Sequence, residues 1–126
     1  MVSRLEDIEV FLRSLGLDYE RRENALLVQY PDEKYGRLGV VIMIFEEAGI
    51  LRVSVPLDVE PLEEALSWFL QMNFESPSFK YSIDYEGFIT VVYDLPMDCI
   101  SKARDLRDAI LYVIDGARKV LERTKI

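Results

Sequence analysis

The chain has 126 residues, of which 50% are hydrophobic and 30% are charged. This length is typical of a protein that buries about two-thirds of its unfolded surface in one core, so we expect a single domain over residues 1–126. The formal net charge of −8 opposes binding to nucleic acid and to anionic membranes. The composition therefore favours an acidic protein whose partners are other proteins.

Targeting and membrane-spanning signals are not found in the sequence. Residues 1–7 turn acidic at once, and no apolar run approaches the roughly 20 residues of a membrane helix. We therefore expect a cytoplasmic protein. Cys99 is the only cysteine, which excludes an intrachain disulfide and disfavours a cysteine-based zinc site. Few asparagines and glutamines beside abundant Glu, Lys and Arg also follow the tendency of thermophile proteins.

A helix and four strands are predicted in the first half of the chain. Ser3 and Glu6 have capping-box spacing ahead of apolar residues at helical intervals, and Gly16 favours the end of that helix. Asn24 is expected to take a positive φ in the first strand turn. Residues 38–45 are apolar on both faces, which is typical of a central strand covered on both sides. A helix is the alternative for residues 38–45, but their β-branched Val and Ile favour a strand. Period-two patterns predict the other strands, over residues 17–21, 25–30 and 50–57.

A second helix is predicted to begin at Asp58, as its N-cap, and to continue to Phe74 with Pro61 in its first turn. More than half of its circumference is apolar, so it should be buried on two sides. Either a second layer of this chain or another molecule would cover the additional surface, which includes Trp68 and Met72 on one flank. Projection at 100° per residue places the core stripe at Leu62, Ala65, Leu66, Phe69 and Asn73.

The segment after this helix predicts a hairpin with a defined register. The loop Tyr85-Glu86-Gly87, with Gly87 left-handed, pairs Asp84 with Phe88. The pairs that follow on one apolar face are Ile83–Ile89, Tyr81–Val91 and Phe79–Tyr93, and those on the other face are Ser82–Thr90 and Lys80–Val92.

A third helix is predicted from Asp98 or Ser101 to the carboxyl end, and Gly116 lies inside it for close packing or by mere tolerance. The element order is α-β-β-β-β-α-β-β-α. An antiparallel sheet with helices packed on it is an α+β fold.

Chemical motifs are not found in this sequence. The chain has no histidine, which excludes Ser–His and Cys–His nucleophiles, and it contains no phosphate-binding glycine loop or DxDxDG-like run. We therefore predict a non-enzymatic protein without catalytic, cofactor or metal sites. The alternative is a small-molecule-binding sensor or a carboxylate-dependent enzyme. Its candidate acids lie at turns or helix starts, where carboxylates are common: Glu46 with Glu47, Asp84 with Glu86, and Asp94 with Asp98.

Four short motifs carry a family resemblance: Leu70-Gln71-Met72-Asn73, Ser78-Phe79-Lys80-Tyr81-Ser82-Ile83-Asp84, Glu86-Gly87 and Tyr93-Asp94-Leu95-Pro96. The chain resembles the bacterial sensory-transduction-regulator family, whose domains look like type III secretion chaperones. This resemblance implies a regulatory or chaperone-like domain that binds a protein partner, often as a homodimer. In such chaperones the middle helix and the following strand meet their symmetry mates, here residues 60–74 and 79–84. The predicted interface residues are Trp68, Met72, Phe74, Gln71, Lys80 and Ser82.

Overall fold

The structure is a computed structural model that describes residues 4–123. Its strands are β1 (Asp18–Arg22), β2 (Ala25–Asp32), β3 (Gly36–Phe45), β4 (Ile50–Pro56), β5 (Lys80–Ile83) and β6 (Ile89–Pro96). Its helices are α1 (Leu5–Ser14), α2 (Leu66–Glu75) and α3 (Ala103–Leu121), and short 3₁₀ turns at Glu63–Ala65 and Met97–Cys99 precede α2 and α3. The strands form one antiparallel sheet in the order β1-β2-β3-β4-β6-β5. The predicted α+β class and element order are confirmed.

One face of the sheet, the helix face, packs against α1 and α3 to form the core. Alternate residues of each strand point to this face because side chains alternate along a strand. The fully buried members from the strands are Leu26, Val28, Ile42, Leu51, Val53 and Val91, and those from the helices include Ile8, Leu12, Leu106, Val113, Ile114 and Ala117.

The opposite face, the open face, is formed by Leu27, Val41, Met43, Arg52, Ser54 and Val92 with their neighbours. Val41 and Met43 are half-buried, and Phe45 is 38% exposed. The prediction that residues 38–45 are covered on both sides was therefore wrong for the part of the chain that the structure describes. Only the side that carries Val40 and Ile42 is covered.

The amino-terminal caps of α1 and α3 differ from those predicted. Ser3 lies outside the described residues, and α1 follows Arg4, whose N–H donates to the Asp7 carboxylate at 3.3 Å. In α3 the Asp105 carboxylate accepts hydrogen bonds from the N–H groups of Ser101 and Lys102, each at 3.0 Å. Lys102 is the N-cap residue, so the predicted caps Asp98 and Ser101 were wrong. The carboxylate three residues inside each helix satisfies the free N–H groups instead.

The roles predicted for Asn24 in a turn and for Asp58 as a helix cap were also wrong. The residue with positive φ in the β1–β2 turn is Glu23 (φ 47°) and not Asn24. Asp58 has a φ of 54°, and the chain continues through a further segment and a 3₁₀ turn before α2 starts at Leu66. Asp58 therefore does not cap α2.

The register of the β5–β6 hairpin is confirmed. Lys80 pairs with Val92, Tyr81 with Val91, Ser82 with Thr90 and Ile83 with Ile89. The Asp84 N–H donates to the Phe88 carbonyl at 2.9 Å, and Gly87 has a φ of 89°. The predicted Phe79–Tyr93 pair precedes the first residue of β5. Ile83 remains 54% exposed, so the apolar face of the hairpin is only partly buried.

Gly116 lies where α3 approaches the β5–β6 hairpin. A Cβ atom at this position would lie 2.7 Å from both Phe79 Cδ1 and Val91 Cγ1. The Gly116 carbonyl also accepts a hydrogen bond of 2.7 Å from the buried Tyr81 hydroxyl. Close packing is therefore the reason for a glycine inside this helix.

Candidate protein-binding surfaces

An apolar row lies on the solvent side of α2 and the turn before it. Leu62 is 48% exposed, Leu66 37%, Leu70 69% and Phe74 91%. We call these four residues the α2 stripe. The spacing of four residues places Leu66, Leu70 and Phe74 along one side of α2, and Leu62 lies in extended backbone just before the 3₁₀ turn that leads into this helix. Large exposed apolar groups in one patch mark interaction surfaces more often than scattered ones do.

The α2 stripe is also uncharged. Of the ten residues of α2 only Glu75 carries a charge, whereas the chain as a whole has a net charge of −8. The predicted interface residue Gln71 borders the stripe together with Ser67 and Glu75.

The opposite side of α2 packs against the body of the chain. Phe69 is 4% exposed and contacts Tyr81 at a ring distance of 5.2 Å. Trp68 contacts the same tyrosine at 5.8 Å and carries the Arg123 guanidinium 4.2 Å above its ring. Met72 is likewise half-buried against the core.

The core stripe predicted for this helix from the sequence was therefore wrong for two of its residues. Leu62 and Leu66 are exposed, while Trp68 and Met72 lie against the body and Phe74 lies in solvent. When more than half of a helix is apolar, periodicity alone does not determine which side packs inward.

Polar contacts fix α2 along the outer edge of β5. The Asn73 side chain accepts the Tyr81 N–H at 2.6 Å and donates to the Tyr81 carbonyl at 3.0 Å. Lys80 Nζ donates to the Asn73 carbonyl at 2.8 Å and to the Ser76 carbonyl. The predicted interface residue Lys80 thus stabilises the carboxyl end of α2, where cations are favoured. Asn73 occupies backbone groups of β5 that another strand would otherwise pair with.

A groove of about 840 Å³ that is partly open to solvent lies on the open face. The Arg52 Nε and Nη2 atoms donate to the two carboxylate oxygens of Asp94 at 2.7 and 2.8 Å, and this pairing raises the pKa of Arg52. The Arg52 guanidinium also lies 5.0 Å from the centre of the Phe45 ring. Asp94 keeps 40% of its side chain exposed. The predicted interface residue Ser82 lines the same groove and donates to the Thr90 carbonyl at 3.3 Å.

The other edge of the sheet is β1. Asp18, Glu20 and Arg22 lie on its open face, and the Arg22 Nε atom is 3.2 Å from a Glu20 carboxylate oxygen. On the helix face, Arg21 donates to Glu6 at 3.2 Å and to Glu9 at 3.0 Å. Among residues 4–123 no strand pairs with the outer side of β1.

An ion pair between the buried Asp32 and the partly exposed Arg118 connects the end of β2 to α3. The Asp32 side chain is 2% exposed, and its Oδ1 accepts from Arg118 Nε at 2.8 Å and Nη2 at 2.5 Å. Its Oδ2 accepts from the N–H groups of Lys34 at 3.1 Å and Tyr35 at 3.0 Å. The Arg118 hydrogen bonds, followed by the backbone ones, lower the pKa of Asp32. Both carboxylate oxygens of Asp32 therefore accept hydrogen bonds, which hold the end of β2 and the turn after it against α3.

Two of the candidate acids for catalysis, Asp84 and Asp94, line the groove on the open face, and the others lie outside it. The Asp84 carboxylate accepts hydrogen bonds from the N–H groups of Glu86 at 2.9 Å and Phe88 at 3.0 Å. Glu46, Glu47 and Asp98 are exposed, and no group of three or more His, Cys, Asp or Glu side chains within residues 4–123 is arranged to hold a metal ion. None of the helices in this part of the chain has the length and hydropathy required to cross a membrane.

Comparison with protein families matches residues 4–122 to the YbjN family, described as "putative bacterial sensory transduction regulator". The chain belongs to this family. A search of curated proteins found no match.

Solved structures from three bacteria share the fold. A chain of the heterodimeric ExoU-SpcU complex from the type III secretion system of Pseudomonas aeruginosa is 19% identical with a TM-score of 0.65, and the match covers 89% of this chain and 93% of that chain. The structure of the Yersinia pestis type III secretion chaperone SycH with a fragment of YscM2 is 18% identical with a TM-score of 0.64. The match covers 88% of this chain and 93% of that chain. Escherichia coli YbjN, described as a putative transcription regulator, is 14% identical with a TM-score of 0.60. The match covers 91% of this chain and 93% of that chain. At these identities the likeness shows the fold alone, and it confirms the resemblance to type III secretion chaperones.

Proposed function

We propose that this YbjN-family protein is a non-enzymatic, cytoplasmic protein-binding or regulatory domain that acts as a homodimer through α2. The α2 stripe is the observation that carries this proposal. It offers several large apolar side chains to solvent on the least charged helix of the chain. Neighbours of the same fold were solved in complexes with other proteins, which supports a protein partner for this chain as well.

A second copy suits the α2 stripe for an electrostatic reason. Two chains of net charge −8 repel each other unless the surfaces that meet are nearly neutral. Rows of side chains spaced by four residues can pack into the grooves of an identical helix, and a two-fold axis buries the same patch on both copies.

The energy available from this patch is sufficient for a stable dimer. Complete burial of a side chain such as Leu70 or Phe74 contributes about 1.5–3 kcal/mol. With several of these per chain, association in the micromolar range is expected after the entropic cost of binding.

Extended partner segments would bind by a different mode. Apolar burial at the α2 stripe can be combined with strand addition at a free sheet edge, where backbone groups supply hydrogen bonds. The alternative function, a small-molecule sensor or carboxylate-dependent enzyme, would use the groove on the open face. That groove has two carboxylates, and both are exposed. Asp94 is paired with Arg52 and Asp84 is bonded to the N–H groups of its own turn, which favours the binding role.

Light scattering at low micromolar concentration tests the dimer. The unmodified protein should have twice the 14.7 kDa chain mass, and the Leu70→Glu variant should have 14.7 kDa with an unchanged far-UV spectrum. Leu111→Glu is the matched control, because this leucine on α3 is 39% exposed but lies outside the α2 stripe. A monomeric unmodified protein, or equal masses for the two variants, would contradict the proposal. Substitutions of Trp68 and Met72 are less useful here because both side chains pack against the core.

A further inference from the structure

Within residues 4–123 no strand pairs with the outer edge of β1, whereas Asn73 closes the middle of the β5 edge at the other end of the sheet. We propose that the β1 strands of two copies pair antiparallel about a two-fold axis at Glu20, so that the two sheets become continuous. This contact lies beyond the proposed dimer through α2. Because β1 and β5 are at opposite ends of the sheet, both contacts can form on the same chain. The β1 contact would then join dimers into larger assemblies at high protein concentration, above the low micromolar range in which the dimer through α2 is measured.

The order of charges in β1 is complementary to itself. With the axis at Glu20, Asp18 lies opposite Arg22 of the second copy on the open face. On the helix face Tyr19 lies opposite Arg21 of the second copy, where an aromatic ring and a guanidinium attract each other. β1 contains two acidic and two basic residues and is therefore neutral, unlike the chain as a whole.

Glu20 is the one residue of β1 that would face its own copy. Its carboxylate already has an ion-pair partner, since Arg22 Nε lies 3.2 Å from it within the same chain. In the paired state both Arg22 side chains would lie between acidic groups of the two strands, which limits the repulsion at the axis.

α1 shows the same complementarity about the same axis. The flank of α1 beside β1 carries Glu6, Glu9 and Arg13, because Glu6 and Glu9 bind Arg21, and Glu9 and Arg13 bind the Tyr19 hydroxyl. An antiparallel second α1 would place Arg13 opposite Glu6. It would also bring the two Glu9 side chains together near the axis, where each already has Arg21 and the Tyr19 hydroxyl of its own chain as partners. It would also cover Val10, the exposed large apolar side chain of this helix at 54%.

The distances of the fold permit this contact. α1 packs over both β1 and β2. A strand spacing of about 4.8 Å then sets the two α1 axes about 10 Å apart, which is the normal separation of packed helices. Strand pairing and helix packing would therefore form together without rearrangement of either chain.

Disulfide trapping tests the axis directly. In a Cys99→Ser background, Glu20→Cys places two cysteines directly opposite each other, within reach of a disulfide. Asp18→Cys is the matched control, since its two copies would lie about 13 Å apart along the strands. Under mild oxidation the Glu20→Cys protein should form covalent dimers at least about tenfold faster than the Asp18→Cys protein. Equal rates would overturn the proposal.

Charge exchange separates this contact from the dimer through α2. In a Leu70→Glu background at high protein concentration, sedimentation should show dimers that dissociate as salt is added, because the contact depends on ion pairs. Arg22→Glu should raise the dissociation constant at least about tenfold, and the Asp18→Arg/Arg22→Asp exchange should restore it. Arg37→Glu makes the same change in net charge away from β1 and should have no effect.

The outcomes for the two contacts are distinguishable. If Arg22→Glu dissociates the dimers and Leu70→Glu does not, the α2 proposal alone is overturned. A Leu70→Glu protein that stays monomeric at every concentration, or an exchange variant that dissociates like Arg22→Glu, would overturn the β1 proposal and leave this edge to a strand from another protein.

Discussion

Replacement of Gly116 by alanine should destabilise the protein, although the same change in most helices stabilises it. The added Cβ would lie 2.7 Å from Phe79 Cδ1 and from Val91 Cγ1, and 2.9 Å from Phe79 Cγ. Phe79 is 4% exposed and Val91 is 0% exposed, so neither has free space to move into. α3 would have to move away from the hairpin, which would also lengthen the 2.7 Å hydrogen bond from Tyr81 to the Gly116 carbonyl.

The magnitude follows from three terms. Overpacking of a core costs about 1–3 kcal/mol. A weakened hydrogen bond adds up to about 1 kcal/mol, and alanine in place of a mid-helix glycine returns about 1 kcal/mol. The free energy of unfolding should therefore fall by about 1.5 kcal/mol, the middle of a range of roughly 0–3 kcal/mol.

Urea denaturation followed by circular dichroism measures this change. Gly39→Ala is the matched control, because nothing lies within 4 Å of a Cβ there and the change should stay within about 0.5 kcal/mol. Gly116→Ala should cost less in a Val91→Ala background than in the unmodified protein, since Val91→Ala removes the clashing Cγ1 methyl group. A Gly116→Ala protein as stable as the unmodified one would refute the packing argument.

Three further predictions concern the hairpin, a buried carboxylate and catalysis. Gly87→Val should lower the free energy of unfolding by about 1–3 kcal/mol, because a β-branched residue resists the φ of 89°; a loss no larger than that of Gly39→Ala would contradict this. Arg118 lowers the pKa of Asp32 below its ordinary value of 3.8, so the ionised pair stabilises the fold above that pH and the stabilisation is lost as pH falls through the lowered pKa. Denaturation of Asp32→Asn at a series of acidic pH values should therefore show a weaker pH dependence, and identical slopes would disprove this. A complementation assay should show an intact cellular role when a carboxylate is replaced by the corresponding amide and the fold is preserved. This applies to each of Glu46, Glu47, Asp94 and Asp98.

The local sequence was sufficient to predict the element order and the β5–β6 register. Turn chemistry at Asp84 and Gly87 and an alternation of period two act between residues close in the chain, so neither depends on the rest of the molecule. The family resemblance was carried by the same segment. Helix starts were predicted less well, because side chains three residues inside the helix, such as Asp105, replaced the expected caps.

The tertiary structure alone decided which surfaces remain exposed. An apolar residue on a helix or strand can face the core of its own chain or solvent, and its sequence neighbours are the same in either case. Packing of Phe69 and Trp68 against Tyr81 turned Leu70 and Phe74 outward. Likewise, α1 and α3 cover one face of the sheet and leave Val41 and Met43 only half-buried on the other. The candidate binding surfaces follow from contacts between residues distant in sequence, which periodicity does not encode.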